Sequence, residues 1–322
     1  MSRKAKMFSV VVPVFRNEAN LGDTIPRLLA LRDQIGDYDL ELVFVEDGSD
    51  DGSYAILQDF AAKHPKVIRV IKLSRNFGQT PAIQAGLRVA AGELVGIISA
   101  DLQEPPEAFA AMIRLWEGGA KVVIGERQSR AEGRIHRKVS GVYWSLVRRF
   151  AFPDFPPLGY DFCVLDRNVV EEINRINEKN TSIFVLIYWL GYSPARIPIT
   201  RQIREKGSSQ WRLASKLRFT VDTLFGFTYV PARIITFTGM TTAVSCLVYL
   251  AYLLANWFLY QAAPPGWMTV AGLLTLLGAL LLFSLGIISE YLMRILDEAR
   301  KRPPYVIEKV ISGGKSRPPS PE

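Results

Sequence analysis

Apolar residues in the first two hundred positions come in short runs broken by polar turns. Phe8-Ser9-Val10-Val11-Val12-Pro13, Leu40 to Val45, Val67 to Leu73, Leu94 to Ser99 and Lys121 to Gly125 are β-branched or apolar, which predicts buried strands. Between them lie segments with helical spacing: Leu21 to Ile35, one from the turn at 46–53 to about Ala62, one ending near Gly92, and Pro105 to Glu117. Such alternation with short connections predicts a parallel sheet covered on both faces. Further on, a short strand around Gly159 to Leu165, helices at Asn168 to Ile176 and Ile183 to Leu190, and a strand near Arg196 to Thr200 are expected.

The pattern then changes. From Ile234 to Ser289 there is no charged residue. A spanning helix needs about 20 apolar residues, so this stretch holds two, expected at Ile234–Phe258 and Trp267–Tyr291, with the turn at Ala263-Pro264-Pro265-Gly266. Arg201, Arg204, Lys206, Arg212, Lys216, Arg218 and Arg233 precede the pair, Arg294, Arg300, Lys301 and Arg302 follow it, and the connecting loop has no Lys or Arg. The positive-inside rule therefore puts both termini in the cytoplasm. Ser208 to Phe227 reads as an amphipathic helix running into the first span. The expected division is a cytoplasmic domain at 1–207, a juxtamembrane helix at 208–232, two transmembrane helices at 233–293, and a cytoplasmic segment at 294–322. Its end, from Ser312, has the Pro/Ser/Gly composition of a disordered tail.

Charge sharpens this reading. The net charge is +8 and the pI about 9.4, which suits nucleic acid, anionic lipid or phosphate-bearing substrates; two spans favour the latter two. Arg127, Arg130, Arg134, Arg137, Lys138, Arg148 and Arg149 alternate with apolar residues including Val142, Tyr143, Trp144 and Leu146. At helical spacing this gives an apolar face with a basic border, suited to an anionic membrane surface or to docking with the cations solvated. The start, Met1 to Lys6, is short and basic, and no signal peptide is expected before Phe8. Two cysteines, Cys163 and Cys246, make no disulfide framework, and two separated histidines suggest no histidine metal site.

Candidate chemistry falls at the ends of the expected strands, where ligands bind in such sheets: Asn17/Glu18, Asp47, Arg75/Gln79, Asp101/Gln103 and Glu126/Arg127. Asp101 and Gln103 are two apart and would share one side of an extended segment. One carboxylate and one amide carbonyl make a sparse oxygen site for Mg²⁺ or Mn²⁺, completed by waters and substrate phosphates; read alone, the pair also suits a simple turn. The glycine fingerprint of dinucleotide enzymes and the lysine loop of P-loop ATPases are absent.

Val11 to Glu18, Val45-Glu46-Asp47-Gly48-Ser49, Ser74 to Gln79 and Ala100-Asp101-Leu102-Gln103-Glu104-Pro105-Pro106, with Arg204 to Lys216 and the C-terminal apolar pair, resemble the family 2 glycosyltransferases that charge a polyprenyl phosphate with one sugar. Relatives of that type include bactoprenol glucosyltransferases, dolichyl-phosphate mannose synthases and undecaprenyl-phosphate aminoarabinose transferases. The resemblance runs from about Phe8 to Ile311. It implies an α/β fold of the GT-A type, Rossmann-like, with a nucleotide-diphosphate sugar, a UDP-sugar first, in the cleft. By position, Pro13, Phe15, Glu18 and Asp47 would hold the base and ribose, with Arg75 and Gln79 beside the donor. Asp101 and Gln103 would hold the metal, and Arg204 would reach the diphosphate. Arg127, with Arg130, Arg134 and Arg137 in the basic helix after it, would receive the lipid phosphate. Glu46 and Ser99 depart from the family's usual acids.

The implied reaction inverts the anomeric centre in a single displacement. A phosphate monoester, largely dianionic at neutral pH, is already nucleophilic, so Asp161 is expected to orient the acceptor or contact metal or sugar rather than act as a base; a structural turn carboxylate is the alternative. Glucose is the first expectation, with mannose or a modified aminoarabinose as alternatives, and undecaprenyl phosphate is the expected acceptor. A homo-oligomer is compatible with the family. A processive polysaccharide synthase would carry a Gln-x-x-Arg-Trp motif, which Gln210-Trp211-Arg212 does not match. A non-catalytic membrane scaffold is the rival from another class.

Overall fold

The computed structural model describes residues 6–128, 144–145, 148–149, 152–176, 182–200, 230–260, 266–313 and 315–317. It divides into two units, one comprising residues 1–219 with 303–322 and the other residues 220–302.

In the first unit nine strands among the described residues form one sheet in the order β7-β5-β6-β4-β1-β2-β3-β8-β9. The strands are β1 (Lys6–Val14), β2 (Tyr38–Glu46), β3 (Ile68–Leu73), β4 (Leu94–Ile97), β5 (Val122–Arg127), β6 (Cys163–Asp166), β7 (Ala195–Ile199), β8 (Ile307–Ser312) and β9 (Lys315–Arg317). Strands β1, β2, β3 and β4 are mutually parallel, with Phe8 opposite both Leu40 and Leu94. The sheet is mixed, because β6 runs antiparallel between β4 and β5. Strand β8 likewise runs antiparallel to β3.

Helices α1 (Glu18–Leu29), α2 (Ser53–Lys63), α3 (Gln79–Val89), α4 (Phe109–Glu117), α5 (Arg167–Arg175) and α6 (Ile183–Trp189) accompany the sheet. Strand β1 explains why its sequence is apolar at nearly every position rather than at alternate ones. Phe8, Val10, Val12 and Val14 join the core that includes Leu21, Ile25 and Leu28 of α1. Val11 turns to the opposite face, where it meets Gly86 of α3 so closely that a Cβ there would lie 2.3 Å from its Cγ1. Both faces are buried, as a parallel sheet between helix layers requires. Phe109 of α4 sits edge-on to Phe8, with ring centroids 5.2 Å apart.

Several boundaries differ from the sequence reading for physical reasons. Helix α1 starts at Glu18 and ends at Leu29, the chain then tightening into a 3₁₀ turn at Ala30–Asp33; Pro26, with no N–H to donate, weakens its last turn. Strand β5 extends to Arg127 because β7 pairs with it as far as Ile199. The expected tail contains a short strand, Lys315–Arg317, paired with β8. The expected amphipathic helix at 208–227 lies outside the described residues, as does most of the basic segment after Arg127.

In the second unit, helix α7 spans Val230–Tyr260 and helix α8 spans Trp267–Ala299. Ala232–Asn256 and Gly272–Ala299 are long and apolar enough to cross a membrane, with mean hydropathies of 1.7 and 2.2. Their apolar side chains are outward-facing: Phe237, Leu282 and Phe258 are each more than 70% exposed. That is a cost in water and the expected state in lipid.

Candidate active site

The site is built where β1, β2, β3, β4 and β5 end and β6 begins, all at one edge of the sheet. Its walls are loops stitched to one another by hydrogen bonds. After β1, the backbone N–H of Arg16 donates to Ser49 Oγ and that of Asn17 to Ser53 Oγ, each at 3.0 Å. The Arg16 guanidinium makes two 2.7 Å bonds to the Asp50 carboxylate, although Arg16 is exposed. The Glu18 carboxylate accepts the Gly52 N–H at 2.8 Å. Glu18, expected at the donor, thus also ties the β1 loop to the β2 loop. Pro13 and Phe15 are half-buried at the same strand end.

Asp47 performs the next stitch. Its two carboxylate oxygens accept the N–H groups of Phe77 at 2.7 Å and Gly78 at 2.8 Å, joining the β2 loop to the β3 loop. Burial pushes its pKa up to about 6, against the opposing pull of those two N–H donors, with the neighbouring Glu46 adding to the rise and Arg75 opposing it. Glycine is needed beside it. Gly48 has φ +65, and a Cβ on it would lie 2.4 Å from the Arg75 carbonyl carbon. Arg75 is exposed and lies over the Phe77 ring, 4.1 Å from its centroid. Gln79 opens α3, also exposed.

The acidic turn after β4 differs from the extended segment expected for it. Leu102 has φ +54, so the backbone folds at the centre of Asp101-Leu102-Gln103 and the alternation of an extended chain does not apply. The Gln103 N–H instead faces Asp101 Oδ1 at 3.4 Å. Ser99 Oγ lies 2.6 Å from Asp101 Oδ1 and 2.6 Å from Glu104 Oε2. Helix α1 steadies this turn, Thr24 donating its hydroxyl to the Ala100 carbonyl at 2.8 Å. Among the described residues no group of three His, Cys, Asp or Glu side chains forms a metal site. Yet Asp101, half-buried with a hydroxyl and a second carboxylate clustered beside it, offers the hard oxygens that Mg²⁺ or Mn²⁺ prefers.

Two strands away, Arg127 at the end of β5 forms an ion pair with Asp161, at the approach to β6. Its Nη2 also lies 3.6 Å from Glu104 Oε1. Antiparallel β6 makes this possible: it enters the sheet at the edge where β4 and β5 leave it. Sequence reasoning named Arg127, Asp161 and Asp101 but missed Glu104, whose side chain is 0% exposed. Its signal was a charged residue wedged between Gln103 and Pro105, which gave no hint of burial. Arg130, Arg134, Arg137 and Arg204 lie outside the described residues. Of the basic segment, Trp144 is described and stacks on buried Phe155 with centroids 4.9 Å apart; a Cβ on Gly159 would collide with its ring. That contact supports docking for this part of the segment.

With this geometry in place, the likenesses to known proteins are informative. Residues 9–173 match the family model described as glycosyl transferase family 2. The chain belongs to that family. It is 33% identical over 310 residues to the uncharacterized glycosyltransferase YkcC of Bacillus subtilis, covering 96% of this chain and 95% of that one. It is 30% identical over 305 residues to the SfII prophage-derived bactoprenol glucosyl transferase of Shigella flexneri, covering 94% and 97%. Among solved structures it resembles glucosyl-3-phosphoglycerate synthase from Mycobacterium tuberculosis, crystallised with Mn²⁺, UDP-glucose and phosphoglyceric acid. That likeness has a TM-score of 0.51 and 16% identity, over 68% of this chain and 79% of the other. The family 2 glycosyltransferase thus has the expected GT-A-type architecture, a mostly parallel mixed sheet between helices.

Proposed function

We propose that this glycosyltransferase moves a single sugar, glucose first, from a UDP-sugar to a polyprenyl phosphate such as undecaprenyl phosphate at the cytoplasmic face of the inner membrane. The observation that carries the reading is the meeting, at one sheet edge, of an acidic turn suited to a metal–diphosphate with an arginine–carboxylate pair suited to a phosphate. Near full-length likeness to a bactoprenol glucosyl transferase supports the lipid acceptor and the glucose. The two long apolar helices support a membrane location, and the cations flanking them support cytoplasmic termini.

In this reading Asp101 and Gln103 hold Mg²⁺ or Mn²⁺, which when bound stabilises charge on the departing diphosphate. Pro13, Phe15 and Glu18 line the nucleotide side, and Asp47 shapes it by fixing the 75–78 loop, with Arg75 and Gln79 at its rim. Arg204 reaches the diphosphate. Arg127, held by Asp161, presents its guanidinium to the acceptor phosphate, aided by Arg130, Arg134 and Arg137; a planar guanidinium suits two phosphate oxygens at once. An acceptor oxygen bonds to the anomeric carbon as the carbon–oxygen bond to the diphosphate breaks. The electron pair leaves with the nucleoside diphosphate, and configuration inverts. A dianionic acceptor needs no strong base, so Asp161 orients rather than deprotonates.

The test is a donor screen on detergent-purified protein with undecaprenyl phosphate and Mn²⁺. UDP-glucose, GDP-mannose and a UDP-linked aminoarabinose are supplied singly, and label is counted in the lipid phase. Label from UDP-glucose supports the reading in full; label from another donor changes the sugar alone. Donor binding without transfer to lipid favours the non-catalytic scaffold.

A further inference from the structure

Glu104 sits in the acidic turn after β4, yet its side chain is 0% exposed. A carboxylate is removed from water at considerable cost unless its surroundings compensate, and the surroundings here are specific. Glu104 Oε2 lies 2.6 Å from Ser99 Oγ, and the same hydroxyl lies 2.6 Å from Asp101 Oδ1. On its other side, Glu104 Oε1 lies 3.6 Å from Arg127 Nη2, the nitrogen that is ion-paired with Asp161. The Arg127 side chain is itself only 9% exposed. A continuous path therefore runs Asp101, Ser99, Glu104, Arg127, Asp161.

Two features make this path more than packing. A serine hydroxyl has one proton and cannot donate to both carboxylates at once, so the orientation of Ser99 links Asp101 to Glu104. The Glu104–Arg127 attraction acts where little water screens it, so the guanidinium position depends on that charge.

We propose that Glu104 is a positioning residue for sugar transfer, a single buried carboxylate that sets Asp101 through Ser99 and Arg127 through charge. It aligns the diphosphate side of the site with the acceptor side. The inference rests on the functional reading above.

The test uses the full chain in detergent with Glu104→Gln, Ser99→Ala and the double variant, read in two ways. Mn²⁺ affinity in the presence of uridine diphosphate, from the electron paramagnetic resonance of free Mn²⁺, requires no acceptor. Initial rates supply kcat and both KM values. Glu104→Gln is expected to lower kcat at least tenfold and raise the acceptor KM at least threefold, with the donor KM changed less than twofold. Ser99→Ala is expected to weaken Mn²⁺ at least threefold, and the double variant to bind Mn²⁺ no worse than the poorer single, because both act through one link. Glu104→Asp, which keeps the charge but shortens its reach, is expected to fall between wild type and Glu104→Gln in kcat. Wild-type kcat and Mn²⁺ affinity in Glu104→Gln, or additive Mn²⁺ losses, would overturn the proposal, as would variants that lower only the melting temperature. If the wild-type chain transfers no sugar to polyprenyl phosphate, the functional reading fails, while the Mn²⁺ arm still decides whether Ser99 and Glu104 act together.

Discussion

Lys72 of β3 and Glu308 of β8 form an ion pair at 2.8 Å, joining the second-last strand of the sheet to an antiparallel neighbour more than two hundred residues earlier in the chain. Two residues along, the Ser74 N–H donates to the Val306 carbonyl at 3.0 Å, immediately before the 75–78 loop proposed to flank the nucleotide. The charge pair is partly solvated and contributes at most about 1 kcal/mol. Attraction raises the Lys72 pKa and lowers that of Glu308. Its contribution is therefore lost as pH falls through the carboxylate range or rises through the lysine range. Burial matters more here. Ile311 is 6% exposed within the core, and Ile311→Ala is expected to cost about 2–5 kcal/mol. Denaturation is expected to show Ile311→Ala far more damaging than Lys72→Ala; equal effects would contradict this view of the C-terminal strand.

Asp47 provides a pH prediction. Its pKa is pushed up to about 6 by burial, so folding favours its protonated form. The stability it contributes is fully present below its unfolded pKa near 4 and is lost as pH rises through about 6. Asp47→Asn cannot titrate. Between pH 4 and 6 its stability is expected to decline less steeply with pH than that of wild type, the difference in slope being at most about 1.4 kcal/mol per pH unit. Parallel stability–pH curves from denaturant titrations would contradict the assignment.

Gly48 and Gly78 offer an internal comparison. Both have positive φ, +65 and +103, but a Cβ on Gly48 would strike the Arg75 backbone at 2.4 Å, whereas one on Gly78 meets nothing within 4 Å. Gly78→Ala is expected to carry backbone strain alone, about 1–3 kcal/mol. Gly48→Ala adds a collision between two backbones, worth roughly 1–3 kcal/mol more. Chemical denaturation of the two variants should therefore rank Gly48→Ala as the less stable.

Much of this arrangement was legible in the sequence because strand ends are marked twice, by the close of an apolar run and by the polar residues that follow. That placed Glu18, Asp47, Asp101 and Arg127 at one edge of the sheet. Strand direction was not legible. Nothing in Cys163-Val164-Leu165-Asp166 distinguishes a parallel from an antiparallel neighbour, and it is the antiparallel course of β6 that brings Asp161 to Arg127. Burial of polar groups was hidden for a related reason. Glu104 looks like a solvated turn residue until Ser99 and Arg127 close on its carboxylate. Likewise, the left-handed Leu102 is set by the turn it completes, not by its own preference.

Metal-dependent sugar transfer through the turn at Asp101 underlies the proposed function. The measurement that tests it most directly is the initial rate of label transfer from UDP-glucose to undecaprenyl phosphate, with wild type, wild type plus chelator, and Asp101→Ala. Wild type is expected to transfer label, to lose that activity with chelator and to regain it on adding Mn²⁺, and folded Asp101→Ala is expected to be at least a hundredfold slower, about 2.7 kcal/mol of transition-state stabilisation. An Asp101→Ala rate within a few-fold of wild type, or transfer indifferent to chelator, would contradict it.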